Sequence, residues 1–328
     1  MNRNGTFAHI GSSLIGALCA VAVIAGSAHA QTYPSRPIEF VAQTSPGGGT
    51  DLFMRSITGF LEKEKIFSQP IILSNRTGGA GVVAYNYIKS KRGDPHVIMT
   101  TGTGGILNAA ARPELDLPLS TFTPLTMFAQ DPQVIAVRTE SRFKTFRELA
   151  ETARREPNTI AAGITGPTGN ARLALYLVER ETGAKFKYVS FKGGGEAVLS
   201  TLGGHVEITG ENMSEMLPLV ETRKMRVLAV TGERRFTQAP DIPTLKELGY
   251  NIVAVTGRGF SMPAAVPKEA AAAMEAALKR IYDSPAYREY SERNMFENKY
   301  LDSAGFVKYL AERRVVQEEF LRAIGVVK

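Results

Sequence analysis

Thiol chemistry is all but absent from this sequence. Its one cysteine, Cys19, lies in the first thirty residues. That stretch reads as a secretory signal: Arg3 is its only formal charge, residues 10–25 are apolar or small throughout, and Ala28-His29-Ala30 supplies a small-x-small cleavage pattern. Cleavage after Ala30 starts the mature chain at Gln31 and removes Cys19. The mature protein then has no disulfide, no cysteine nucleophile and no cysteine-held metal or cluster. A thiol-free chain suits an oxidising compartment. Lipidation of Cys19 is excluded because Leu18, not a small residue, precedes it. The apolar run is short for a spanning helix, which needs ~20 apolar residues; an uncleaved anchor is the competing reading. No later stretch is apolar enough to span a bilayer.

Histidine is nearly as scarce. Of four, only His96 and His205 follow Ala30. Neither belongs to a His-Glu-x-x-His metal spacing, and no Gly-x-Ser-x-Gly elbow offers an esterase nucleophile. These shortages argue against catalysis, against a metal centre and against a cofactor. Gly79-Ala80-Gly81-Val82-Val83-Ala84 fits the dinucleotide fingerprint, but the next strand ends in Met99-Thr100-Thr101 with no acid to hold a ribose hydroxyl. No phosphate-binding loop with a lysine is present. The net charge of +7 is spread along the chain in clusters no longer than Lys89-Ser90-Lys91-Arg92. Without a dense basic run interleaved with aromatics, nucleic acid is not an expected partner. The scattered charge reads as a solvated surface with a bias towards anionic ligands.

Glycine and β-prone runs are plentiful. Ile38-Glu39-Phe40-Val41-Ala42, Pro70-Ile71-Ile72-Leu73 and His96-Val97-Ile98-Met99-Thr100 each lead into a turn of Gly, Thr, Ser or Asn and then a helical pattern. The theme recurs at Thr159-Ile160-Ala161-Ala162 and Lys187-Tyr188-Val189-Ser190. Thr145-Phe146-Arg147-Glu148 is a capping box that opens a helix. Strand, glycine-rich turn, helix, repeated, is the pattern of a doubly wound parallel sheet. The expected fold class is α/β, in two units, with the chain crossing near residues 130–132 and returning near 251–256. Clefts between such units are where small ligands bind.

Five of the turns stand out, at residues 45–50, 77–81, 101–105, 165–170 and 192–195. Ligands of open α/β sheets sit outside the carboxyl ends of the strands. Glycine admits close backbone approach, and each following helix points free N–H groups and its dipole at the cleft. Converging turns of this kind make a receptor for an anion. The candidate ligand-binding residues in the first unit are Ser45, Gly48, Gly49, Thr50 and Asp51, then Thr101, Thr103 and Gly104. Those in the second are Thr165, Thr168, Gly169 and Asn170, then Lys192, Gly193 and Gly194, with Asn212. Asp51 and Glu196 each open a helix, where a carboxylate is also favoured as a simple cap.

Several ordered motifs resemble those of the Bug-type, or tripartite tricarboxylate transporter, substrate-binding receptors. They are Tyr33-Pro34-Ser35-Arg36-Pro37-Ile38, Pro46-Gly47-Gly48-Gly49-Thr50-Asp51 with Arg55, and Asn75-Arg76-Thr77-Gly78-Gly79-Ala80-Gly81. Further along come Phe191-Lys192-Gly193-Gly194-Gly195-Glu196, Leu202-Gly203-Gly204, Arg226-Val227-Leu228-Ala229-Val230, and Asp241-Ile242-Pro243-Thr244-Leu245-Lys246-Glu247 with Gly249. Two stretches depart from the family. Arg258-Gly259-Phe260 stands where many members carry a tryptophan, and the second-unit loop reads Gly166-Pro167-Thr168-Gly169-Asn170. Arg258 joins the candidate site because its guanidinium fork matches a second carboxylate.

The resemblance implies a two-lobed, type II-like periplasmic binding protein. Residues 1–30 are the expected signal, 31–131 with 253–328 one lobe, and 132–252 the other. It further implies capture of a mono-, di- or tricarboxylate, delivery to transporter membrane subunits, and a monomer. A partner of a periplasmic sensor protein and a secreted hydrolase are the alternatives.

Overall fold

The computed structural model describes residues 33–328, together with Met1. The expected signal, its cleavage site and Cys19 lie outside the described residues. The first lobe opens with β1 (Ile38–Ala42), β2 (Ile71–Asn75) and β3 (Val97–Gly102), connected through α1 (Gly49–Lys63) and α2 (Val82–Ser90). β1 lies between β2 and β3 and runs parallel to both, a pairing that requires crossover connections. α1 serves as one because Phe53, Met54, Ile57 and Leu61 form a single buried stripe against the sheet. α3 (Thr103–Ala110) follows β3, and β4 (Phe122–Pro132) leads out of the lobe.

The second lobe holds β5 (Val134–Arg138), β6 (Ala161–Thr165), β7 (Lys187–Phe191), β8 (Ile208–Thr209) and β9 (Met225–Val230). Its helices are α4 (Phe146–Arg155), α5 (Asn170–Thr182), α6 (Gly194–Leu202) and α7 (Met213–Glu221). The chain then re-enters the first sheet as β10 (Val255–Pro263) and continues through α8 (Lys268–Tyr282), α9 (Pro285–Arg293), β11 (Glu297–Leu301) and α10 (Ser303–Ala323).

The sheet orders are β11-β4-β10-β3-β1-β2 and β7-β6-β8-β5-β9. Leaving β11 aside, both follow one plan: second strand, first, third, a strand newly arrived from the other lobe, then the fourth. The newcomers run backwards. β10 is antiparallel to β3 and β4, and β5 to β8 and β9. Both sheets are therefore mixed, where the repeating strand–turn–helix pattern predicts parallel ones. The physical reason is that the parallel strands end at the cleft, whereas β5 and β10 begin there.

The crossing is stitched by backbone bonds. Pro132 pairs with Val255 in the β4–β10 ladder. Gln133 N–H donates to the Ala254 carbonyl at 3.3 Å, and Thr231 N–H donates to the Gln133 carbonyl at 3.0 Å. Each lobe has its own core. In the first, Phe128 is ringed edge-on by Phe53, Phe260, Tyr282 and Tyr287, with centroids 5.1–5.9 Å away. In the second, Phe146, Leu149, Ile135, Leu175 and Leu228 pack together. The capping box forms as the sequence predicts, Thr145 and Glu148 each bonding the other's backbone N–H.

Phe128 is fully buried among four rings. Phe128→Ala is expected to cost about 3–5 kcal/mol, from lost transfer free energy plus the cavity left behind. Urea unfolding checks this; a loss under about 1 kcal/mol would contradict the central place given to this residue.

Candidate functional site

All five glycine-rich turns reach one cavity of about 620 Å³ between the lobes. The first lobe contributes Gly49 and Thr50, then Gly78, Gly79 and Gly81, then Gly102 and Gly105. The second contributes the whole of 165–170, then Lys192 and Gly194. Three of the turns are more helical than the sequence implies. β3 runs to Gly102 and α3 starts at Thr103, so Gly104 and Gly105 lie in its first turn. Likewise Gly49 already belongs to α1 and Gly194 to α6.

The helices that start at the cavity share one property. α1, α3, α5, α6 and α7 have no side-chain cap, so their first N–H groups are left for other acceptors. Among the described residues, the helices with side-chain caps, from Thr145, Ser284 and Asp302, begin away from it.

The lobes touch on both sides of the cavity. Ser45 lies against Gly193, and Gly47 against Gly195. On the far side Asn108, on α3, donates to the Thr168 carbonyl and accepts from Gln317 on α10. Tyr176 on α5 packs on Phe320 of α10, with ring centroids 5.4 Å apart. Gly104 must lack a side chain because a Cβ there would overlap the Asn170 amide.

At the floor, Arg258 is almost wholly buried. It sits at an irregularity of β10, where the register against β4 shifts between Arg258 and Gly259. Irregularities of this kind re-aim side chains. Its Nε and Nη2 donate to Asp131 Oδ2 at 3.1 and 2.5 Å, Nη2 also to Asn212 Oδ1 at 3.1 Å, and Nη1 to Thr50 Oγ1 at 3.1 Å. Asp131 is fully buried, and Ser214 donates to the same Oδ2 at 2.8 Å. Burial pushes the Asp131 carboxyl up, against the pull of the guanidinium. Asp131 Oδ1 has no partner.

Two glutamates share this floor. Glu211 is 4 % exposed, and its Oε1 accepts from the Thr165 N–H at 2.6 Å and the Thr165 hydroxyl at 2.7 Å. Glu215 lies one turn further on, in the first turn of α7. Its carboxyl sits between the lobes: a Cβ on either Gly49 or Gly194 would collide with it. Its Oε2 is buried without a partner. Burial raises the Glu211 carboxyl to about 7, against hydrogen bonds from Thr165. Burial and then the nearby Glu211 charge raise Glu215 to about 8, with Arg258 pulling the other way. Groups this close exchange protons as a pair.

Of the residues predicted from sequence, Gly49, Thr50, Thr165, Thr168, Gly169, Asn170, Lys192, Gly194, Asn212 and Arg258 line the cavity. The others stand behind or beside it. Ser45 and Gly193 face each other at the lobe contact. Gly48 precedes α1 and accepts the Leu52 N–H through its carbonyl. Asp51 turns inward, accepting from Gly47 N–H at 2.9 Å, Asn75 at 2.8 Å and Arg55 at 3.0 Å. The Thr101 hydroxyl is buried against Ser261 at 3.0 Å, and Thr103 accepts the Gly257 N–H at 2.9 Å, tying α3 to β10. Gly104 abuts Asn170.

Gln43, Tyr85, Asn108, Glu211, Glu215 and Thr256 also line the cavity and were not singled out from sequence. The available signal was two acids at i and i+4 beside the apolar Met213, Met216 and Leu217.

Two α/β lobes of matching strand order, joined by two crossings and enclosing a cavity walled by helix N-termini, define a two-lobed solute-binding protein. The family model TctC, tripartite tricarboxylate transporter family receptor, matches residues 56–326, and the chain belongs to that family. It is 29 % identical over 241 residues to Protein BugT of Bordetella pertussis, covering 73 % of each chain. Among solved structures, an R. palustris protein with adipate matches with a TM-score of 0.84 and 21 % identity, over 90 % of this chain and 99 % of that one. MatC from Rhodopseudomonas palustris with bound malate matches with a TM-score of 0.80 and 22 % identity, over 88 % of this chain and 100 % of that one. These two likenesses concern the fold.

Breaking a buried pair leaves an uncompensated charge, at a cost of about 3–5 kcal/mol. Arg258→Met is expected to destabilise the protein by that amount, and adding Asp131→Asn should recover part of the loss. Urea titration of the single and double variants checks this; strictly additive losses would show that the two side chains act independently.

Proposed function

We propose that this protein is an exported periplasmic receptor that captures a small carboxylate between its lobes and presents it to the membrane subunits of a tripartite transporter. The observation that carries this reading is the convergence of five glycine-rich turns, with uncapped helix starts, on a single interlobe cavity. Free N–H groups at helix N-termini are ready acceptor sites for carboxylate oxygens. Family membership and neighbours whose structures hold adipate and malate support the carboxylate class.

In this reading the lobes divide at 131/132 and 252/253, and the signal is cleaved after Ala30. The lobes part about the crossing strands to admit the ligand. The first lobe offers the Thr50 and α3 N–H groups. The second closes over the ligand with the Thr165–Asn170 loop and the Gly194 turn. Closure brings the Ser45–Gly193 and Asn108–Thr168 contacts together and creates the surface that the membrane subunits recognise. The receptor acts as a monomer and performs no chemistry on its ligand.

A bound ligand stabilises the folded state by about 2.7 kcal/mol at a hundredfold excess over its dissociation constant. Thermal melting of the mature protein with a panel of mono-, di- and tricarboxylates should therefore give a clear upward shift for at least one member. Gly194→Val, which thrusts a side chain into the Glu215 carboxyl, should abolish the shift while circular dichroism stays native. A panel without a single shift would refute the carboxylate class.

A further inference from the structure

The cavity's charges do not balance for a simple carboxylate. Arg258 brings one positive charge to the floor, but Asp131 takes both Nε and Nη2, and Thr50 and Asn212 take further N–H groups. The arginine and aspartate thus neutralise each other. Glu211 and Glu215 remain, and neither lies within ion-pair distance of a cationic side chain among the described residues. The other cations at the cavity are elsewhere engaged or wet: Arg112 pairs with Glu114 at 2.8 Å, and Lys192 is exposed beside the exposed Glu196.

Two features turn this surplus into a binding requirement. Glu211 is deeply buried, and only its Oε1 has a hydrogen-bond donor, Thr165. Glu215 Oε2 is enclosed and has no donor at all. Buried acceptors without donors are costly, and two close carboxyls cannot both ionise cheaply without a cation. Glu215 sits at the meeting of Gly49 and Gly194, and Glu211 lies beside it against Thr165. The start of α5, with Thr168, Gly169 and Asn170, remains available for an anion.

The geometry points to a ligand that is both acid and amine: a carboxylate bearing a protonated amine whose N–H groups are received by Glu211 and Glu215. This rests on the carboxylate reading above and narrows it. A primary or secondary ammonium is specified over a quaternary one, because unpartnered oxygens call for N–H donors. Quaternary nitrogens are recognised by aromatic cages, and the cavity wall has only Tyr85 and Phe191 as aromatic rings.

The sign of the pH dependence separates this from its rival. An ammonium binds ionised glutamates. Both glutamates hold protons more tightly than ordinary carboxyls, so affinity for an amino acid rises from pH 6 to pH 8.5 and binding releases protons. A dicarboxylate would instead bind protonated glutamates as donors, and its affinity would fall over the same range. The charged groups acting on the pair are Arg258 and Asp131, and Lys192 and Glu196 line the same cavity. Of these, Lys192 and Glu196 are exposed, while Arg258 and Asp131 form a mutual ion pair.

Calorimetry on the mature protein should compare a panel of α- and ω-amino acids with carboxylates and dicarboxylates of equal length that lack nitrogen, at both pH values. At least one amino acid is expected to bind tenfold or more tighter than its nitrogen-free counterpart, with affinity rising with pH. In Glu211→Gln/Glu215→Gln that preference and the pH dependence should vanish; a double variant that keeps both would overturn the assignment. If dicarboxylates bind best to the wild type, with affinity falling as pH rises, the ammonium assignment is overturned and the carboxylate receptor stands. If no member of either series binds, the receptor reading fails and takes this inference with it.

Discussion

The guanidinium of Arg258 is the joint on which the cavity is assembled. It projects from β10, the strand that returns from the second lobe, and is held by Asp131 near the end of β4, the strand that leaves the first. The same group bonds Thr50 in the first turn of α1 and Asn212 just before α7. One side chain therefore links both crossing strands, the first glycine-rich turn and the second lobe. A buried pair is weak as a source of net stability. Here it ties the start of α1 and the residue before α7 to the β4–β10 ladder. A buried arginine serves this purpose better than lysine, because its rigid fork addresses several acceptors at once.

The helix starts divide the molecule's labour. Thr145, Ser284 and Asp302 cap helices that begin away from the cavity. Of the helices facing the cavity, α1, α3, α5 and α6 begin at glycine or after glycine and carry no such cap. Each missing cap forgoes about 0.5–2 kcal/mol of local stability, which the two aromatic and aliphatic cores offset. What remains at the cavity is a set of N–H donors held in place by packing. Glycine at these starts also lets the opposite lobe approach: a Cβ at Gly104 would strike Asn170, and one at Gly194 would strike Glu215.

The turns were legible in the sequence because their composition is extreme. Strand, glycine cluster and helix follow one another so regularly that the placement of five turns at one cleft was readable without coordinates. The mixed character of the sheets was not, since strand direction depends on where the chain crosses, and no local signal marks β5 or β10 as reversed. Asp51 illustrates a limit of a different kind. A carboxylate in a first turn reads equally as ligand contact or internal brace, and its bonds to Gly47, Arg55 and Asn75 decide for the brace. Thr101 and Thr103 look like hydroxyl donors to a ligand, yet both face neighbouring strands. Glu211 and Glu215 carry no local mark of their placement, because acids four residues apart usually face water. Only the fold reveals that Glu211, just before α7, and Glu215, in its first turn, both face the cavity.

Those two acids change the electrostatic character of the site. Uncapped helix starts alone would make the cavity uniformly attractive to anions. Glu215 puts an acidic group where the starts of α1 and α6 meet, and Glu211 puts a second against Thr165. Low local dielectric strengthens the interaction between them. Glu215 touches both lobes, so charge and closure are one problem. Glu215 lies between Gly49 of one lobe and Gly194 of the other. An ionised carboxyl there is drawn to both helix starts but repelled by Glu211 and Asp131, and a protonated one is drawn less and repelled less. Whatever balances the charge on this side chain also sets how firmly the two lobes hold together.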